Sequence, residues 1–209
     1  MDRLRDAPAK RPRRACSEGP RRAAAVPRIV GMTAAAYPQL MSLEQWRALP
    51  EAPEQRVELQ EGLAIVSPRP TPAHSRAASR LWQQLAAQLP DGFEALQEVE
   101  VVIDAATPAT VRIPDVIVRR TDADDSMITA DQVVLAVEVV SPGSRRTDHV
   151  MKRSEYADAG IAHYWIIDLD APVAITVLRL DSDGYVGDQF NGEVTVESPF
   201  PVTVALDIT

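Results

Sequence analysis

The eight residues Val133 to Val140, VVLAVEVV, constrain this chain more than any other stretch. A run this apolar and β-branched, ended by the Ser-Pro-Gly triplet 141–143, reads as a buried strand. It carries one charged residue, Glu138. An unpaired carboxylate costs several kcal/mol in such a place, so Glu138 needs a metal ion, a Lys or Arg side chain, or a proton. A polar helix follows, with Asp148, Lys152 and Tyr156 at four-residue steps, and then a second apolar run, Tyr164 to Ile167. This strand and helix are expected to carry an active site that the rest of the chain completes.

Order is expected to begin near Met41. Ser42 followed by Gln45 has the form of a capping box, which predicts a short helix through Arg47. Arg56 to Gln60 and Leu63 to Val66 flank Glu61-Gly62 and predict a β-hairpin with Glu58 in its first strand. Thr71 as cap and Pro72 at the first helical position open an amphipathic helix predicted to run to Leu89. Phe93 to Ile103 reads as one long strand, and Thr110 to Arg119 as a strand interrupted at Pro114-Asp115. Asp122 to Asp131 reads as acidic loop. Thr147 is placed to cap a helix reaching about Ala159, with Gly160 just past its end. His163 to Asp168 and Val173 to Leu180 predict strands, with a weaker one near Tyr185 and an edge strand or two in Val194 to Val204. The sum is an α/β domain: a mixed β-sheet flanked by helices, with an N-terminal β-hairpin and C-terminal strands.

Charge divides the chain unevenly. Residues 1–31 hold nine Lys/Arg and three Asp/Glu, whereas residues 32–209 carry a net charge of −14. An acidic body does not coat nucleic acid through bulk charge, so DNA binding requires a local basic patch, a metal ion or the tail. Residues 1–38 read as a disordered basic tail or an over-extended start, with Met32 or Met41 as initiator, and residues 39–209 as a single domain. The single cysteine, Cys16, excludes a disulfide framework and a cysteine-based zinc site. No run approaches a membrane span and the Arg-rich start lacks a secretory apolar core, so a cytoplasmic location without a membrane partner is the expectation.

Asp115, placed where a strand breaks, and Glu138, a short loop away, make a hard-oxygen pair suited to Mg²⁺ or Mn²⁺. Asp148, Lys152 and Tyr156 share a helical stripe that drifts by about 40° per step, and a helix folding back on its strand brings Lys152 toward Glu138. A lysine there can orient water and stabilise charge growing on a phosphate. Each residue also has a plainer reading. Asp115 can cap a turn, Glu138 can form a buried ion pair with Lys152, Arg145 or Arg146, and the helical stripe can be a solvated ladder. Glu58 is either a third acidic ligand or a surface residue, and His74 either a base or a helix N-terminal polar group. Arg69, Arg76, Arg80, Arg145 and Arg146 either form a patch that contacts DNA phosphates or are ordinary surface arginines.

The residues Pro114-Asp115, Glu138 in its apolar strand, Ser-Pro-Gly with Asp148 and Lys152, and then EYADAGIAHYWIID resemble the Uma-type family of restriction endonucleases. That family lies within the PD-(D/E)XK nuclease superfamily. Val57 to Gly62 and Ser67-Pro68 through His74 match its opening pattern, so the resemblance spans about residues 41–185. It implies a restriction-endonuclease-like fold, with Asp115 and Glu138 as metal ligands and Lys152 as the catalytic lysine. A standard motif places that lysine two residues after the glutamate, where this chain has Val140. The family supplies it from the following helix, the role left to Lys152. The expectation is a Mg²⁺- or Mn²⁺-dependent endonuclease acting on DNA, with a homodimer as the simplest assembly for cutting both strands. The alternatives are a catalytically inactive nucleic-acid-binding or regulatory module on the same scaffold, and an enzyme acting on another phosphodiester or nucleotide.

Overall fold

Glu138 lies on β8, Val133–Val140, and the two faces of that strand explain most of the architecture. In this computed structural model, residues 39–50, 55–141 and 143–205 are described. The basic segment 1–38 and Pro142 lie outside them, as do the expectations that concern that segment. Alternation along the strand sends Leu135, Val137 and Val139 to one apolar cluster, and Ala136 and Val140 to another. Glu138, between the latter pair, shares their side.

The elements run in chain order as follows. Helix α1 is Leu43–Arg47, and its capping box forms, with Ser42 and Gln45 each accepting the other's backbone N–H. Strands β1, Arg56–Gln60, and β2, Leu63–Ser67, make the expected hairpin. Glu61 and Gly62 both have positive φ, 46° and 78°, the pattern of a tight primed turn. A Cβ on Gly62 would sit 2.7 Å from the Cβ of Leu40, so only glycine fits. Helix α2 is Pro72–Ala86, capped by Thr71 as expected but ending three residues before Leu89. Leu81 and Leu85 are buried on its inner face.

The reading of Phe93 to Ile103 as one strand is corrected. It forms β3, Phe93–Gln97, and β4, Val101–Asp104, separated by Glu98 with a φ of 50°. Thr110 to Arg119 divides similarly into β5, Thr110–Arg112, and β6, Val116–Arg120. The two breaks face each other: Gln97 pairs with Val116 on one side of them and Val101 with Arg112 on the other. Pro114, without an N–H, cannot continue the ladder, so the ribbon splits between two sheets there.

The later elements are β7 (Ile128–Thr129), β8, helix α3 (Arg153–Asp158), β9 (His163–Asp168), β10 (Ala174–Asp181), β11 (Gly184–Asn191), β12 (Glu193–Val196) and β13 (Val202–Ala205). One sheet has the order β2-β1-β5-β4-β7 and the other β11-β10-β9-β8-β6-β3. The expected mixed sheet is the six-stranded one, the expected N-terminal hairpin extends into a second, five-stranded sheet, and strands β12 and β13 form a separate C-terminal hairpin. The six-stranded sheet is itself mixed, because β8 and β9 are parallel. Helix α2 and the β12–β13 hairpin cover one of its faces, and Tyr156 of α3 packs on the other with Ile161 and Tyr164. Among the described residues, no helix is long and apolar enough to cross a membrane.

Candidate active site

The split in the ribbon positions Asp115. Strand β6 pairs with β8 as far as Val116 and Val137, and there the main-chain ladder stops. The Asp115 side chain takes over, with Oδ2 accepting the N–H of Val139 at 2.7 Å. Arg56 from β1 donates to Oδ1 at 2.8 Å and also bonds the Ile113 carbonyl, while His74 Nε2 lies 3.2 Å from Oδ2. Burial would raise the carboxyl's pKa, but His74, Arg56 and the Val139 N–H outweigh it and hold Asp115 at about 2. His74, in the first turn of α2, is correspondingly raised: burial opposes its charge and Asp115 favours it.

Glu138 has the partner its position demanded. Lys152 Nζ lies 2.8 Å from Glu138 Oε1, 3.3 Å from Glu58 Oε1 and 3.8 Å from Asp148 Oδ1. Tyr156 donates its hydroxyl to the same Glu138 Oε1 at 2.8 Å. Asp148, Lys152 and Tyr156 are all buried, so the solvated-ladder alternative is removed. Thr147–Lys152 forms a wide π-type turn leading into α3, not the regular helix expected, and Thr147 provides no capping bond. Single widened turns of this kind inside a helix are frequent at functional sites. The Tyr164 hydroxyl holds this turn by donating to the Asp148 carbonyl at 2.9 Å. Burial, together with the nearby Asp115, Asp148 and Glu58 carboxylates, raises Glu138 to about 8 against the opposing pull of Lys152. Asp148 is also raised by burial. Lys152 is raised because the surrounding acids overcome its desolvation.

A further layer was not anticipated. Arg112 is buried and donates to both oxygens of Glu155, at 2.7 and 2.6 Å, and to Glu58 Oε2 at 3.1 Å. Glu58 also accepts the Ile113 N–H at 3.0 Å. Arg112, Arg56 and Glu155 were missed by the sequence reading, although the signals were present. Arg112 is a lone charge between Val111 and Ile113, the same anomaly that exposed Glu138, and Arg56 alternates onto the face of Glu58. Glu155 follows Lys152 by three residues, one helical turn.

The donor set suits a hard divalent cation. Arg112 and Lys152 join Glu58, Glu138, Asp148 and Glu155, and Asp115 pairs separately with Arg56, so five carboxylates face three cations. With every carboxylate ionised and His74 neutral, two negative charges are left; a proton on Glu138 and one on His74, the directions their surroundings favour, offset the same imbalance that a divalent ion would. Among the described residues, no three Asp, Glu, His or Cys side chains are grouped as a metal cage. Mg²⁺ does not require one, since it typically takes one or two carboxylates and keeps several waters.

Arg69, Arg76 and Arg146 are exposed. Arg145 is exposed too, but its guanidinium is tied to Asp168 at 2.6 Å and Asp170 at 2.7 Å, which draws it away from a phosphate role. A half-open cleft of about 360 Å³, lined by Trp46, Arg47, Val102, Val111 and Met127 among others, contains none of the acid cluster.

A mixed sheet between helices, with acids at the broken end of its central strands and a helix-borne lysine among them, defines an α/β fold of the restriction-endonuclease-like class. The chain matches the Uma2 family, described as "Putative restriction endonuclease", over residues 43–209, and it belongs to that family. A crystal structure described as "a putative nuclease belonging to DUF820" from Anabaena variabilis is similar, with a TM-score of 0.61 and 20% identity. The match covers 76% of this chain and 89% of that one, a likeness of fold. No curated protein matches the sequence.

Proposed function

We propose that the protein is a metal-dependent endonuclease that hydrolyses phosphodiester bonds in DNA, with Asp115 and Glu138 holding a Mg²⁺ or Mn²⁺ ion. The reading is carried by one observation: the Lys152 ammonium, from the following helix, lies 2.8 Å from Glu138 and 3.3 Å from Glu58. A bound divalent ion would supply a polarised phosphate oxygen and a more acidic water. Lys152 then orients the attacking water and offsets charge growing on the phosphate. Glu58 and Arg112 hold Lys152 in place, Tyr156 and Asp148 fix Glu138 and the turn, and His74 and Arg56 orient Asp115. Arg69, Arg76 and Arg146 are exposed, and in this reading they meet the DNA backbone. A homodimer goes with this reading, since one site per chain cuts both strands most simply under two-fold symmetry. A cytoplasmic place of action follows from the substrate.

The second reading is a non-catalytic nucleic-acid-binding or regulatory module. It is favoured by the closure of the site, since Glu58, Asp115, Glu138, Asp148 and Lys152 are each no more than 4% exposed. Incubating the purified chain with plasmid and Mg²⁺ or Mn²⁺ separates the two. The nuclease reading expects nicking that a chelator stops and that Glu138→Ala and Lys152→Ala abolish while leaving the circular dichroism spectrum unchanged. Salt-dependent binding without turnover would establish the module instead.

A further inference from the structure

Among the described residues, strand β2 is an edge strand without protection. Its residues, Leu63, Ala64, Ile65, Val66 and Ser67, carry no charge, and Leu63, Ile65 and Val66 are 42%, 40% and 58% exposed. Uncharged, exposed edge strands invite pairing with another chain, and proteins normally blunt them. The other long edges here are blunted. Gln84 and Gln88 of α2 bond the main chain of β13 at Ala205 and Thr203. Strand β11 has Asp188 at its centre and its Tyr185 carbonyl bonded by Arg153, while β3 carries Glu94. Strand β7 has only two residues. Among the described residues, no side chain bonds the outer main chain of β2.

We infer that β2 is the contact between two copies of this chain, joined as an antiparallel β2–β2 pair centred on Ile65. The strand is self-complementary in that register. Ile65 meets Ile65 of the second copy, Ala64 meets Val66, and Leu63 meets Ser67, so no like charges oppose each other. The pairing is two-fold and consumes both edges, so assembly stops at two chains. A different partner would not require the strand to match itself. Ile65 is the cross-strand neighbour of Glu58. At a strand spacing of about 4.8 Å, three steps set the Glu58 backbones of the two copies about 15 Å apart. The inference does not depend on the nuclease reading.

The test uses the full chain with Cys16→Ser, leaving no native thiol. Opposed Cα atoms of an antiparallel pair lie about 4.5–5.5 Å apart, within disulfide reach. Ile65→Cys is therefore expected to give a disulfide-linked dimer under mild oxidation. Leu63→Cys, whose copies are separated by four residue positions, is expected not to. Light scattering on the unmodified chain is expected to give a dimer at micromolar concentration. Ile65→Lys sets two ammonium groups directly opposite and is expected to weaken the dimer at least tenfold with an unchanged circular dichroism spectrum. A monomer, an assembly larger than two, a dimer that Ile65→Cys does not capture, or a dimer insensitive to Ile65→Lys each overturns the inference. So does a monomer whose β2 amides resist hydrogen exchange, which would mean that the chain's own residues cover the edge.

Discussion

Replacing Arg112 by methionine tests whether the buried network holds the site together. Arg112 makes three charged hydrogen bonds, two to Glu155 and one to Glu58. The two acids differ in what happens when it leaves. The Glu155 side chain is 19% exposed and can be hydrated, whereas that of Glu58 is 5% exposed and cannot. The loss therefore falls on Glu58, left with Lys152 and the Ile113 N–H. Breaking a buried pair in this way costs about 3–5 kcal/mol. At about 2–4 °C per kcal/mol for a chain of this size, the melting temperature should fall by roughly 10 °C. Arg112→Lys keeps the charge but not the fork, so an intermediate loss of about 2 kcal/mol is expected. Neutralising the stranded acid should help: Arg112→Met with Glu58→Gln is expected to be more stable than Arg112→Met alone by about 1–2 kcal/mol. Urea denaturation at pH 7 with chelator measures these proteins together with the Glu58→Gln single variant that completes the cycle. A loss below about 1 kcal/mol in Arg112→Met, or strictly additive costs in the double variant, would refute the claim that Arg112 keeps Glu58 charged and buried.

Three further outcomes are expected. Glu138 is raised to about 8, so its contribution to stability is fully present below the unfolded pKa of about 4.5 and is lost as pH rises toward 8. In chelator, the stability of wild type relative to Glu138→Gln should therefore fall between pH 5 and 8, by at most about 1.4 kcal/mol per pH unit, and a flat difference in urea titrations would count against the raised value. Mn²⁺ at a hundredfold excess over its dissociation constant should stabilise the fold by about 2.7 kcal/mol, read by differential scanning fluorimetry, with the shift absent in Asp115→Asn and Glu138→Gln. Leu85→Ala, which empties a fully buried position of α2, should cost about 2–5 kcal/mol in calorimetry while leaving that Mn²⁺ shift intact.

Local chemistry made the elements legible. The Ser42–Gln45 box, the Glu61-Gly62 turn and the Thr71-Pro72 start each rest on bonds made within a few residues, so the sequence reading places them correctly. The two sheets were not legible, because alternation runs on through Gln97 to Val101 while the break depends on which strands lie beside each half. The π-type turn at Thr147–Lys152 was hidden for a similar reason: its width answers to the contacts of Asp148, Lys152 and Tyr164. Within the site, the approach of Lys152 to Glu138 could be read from the cost of burying a carboxylate. The same reasoning applied to Arg112 would have uncovered the Glu58–Arg112–Glu155 chain. The tie between Arg145 and Asp168 had no local signal, since those residues are brought together only by the parallel pairing of β8 and β9.

The split ribbon has a mechanical consequence. Glu58 and Arg112 belong to one sheet and Glu138 to the other, so the ammonium of Lys152 acts as a clasp across a seam. A small rotation of one sheet against the other opens that clasp while leaving nearly every ladder hydrogen bond intact. Heating should therefore loosen the seam before it melts the sheets, and the chemistry of the site would fade at temperatures where the fold still stands.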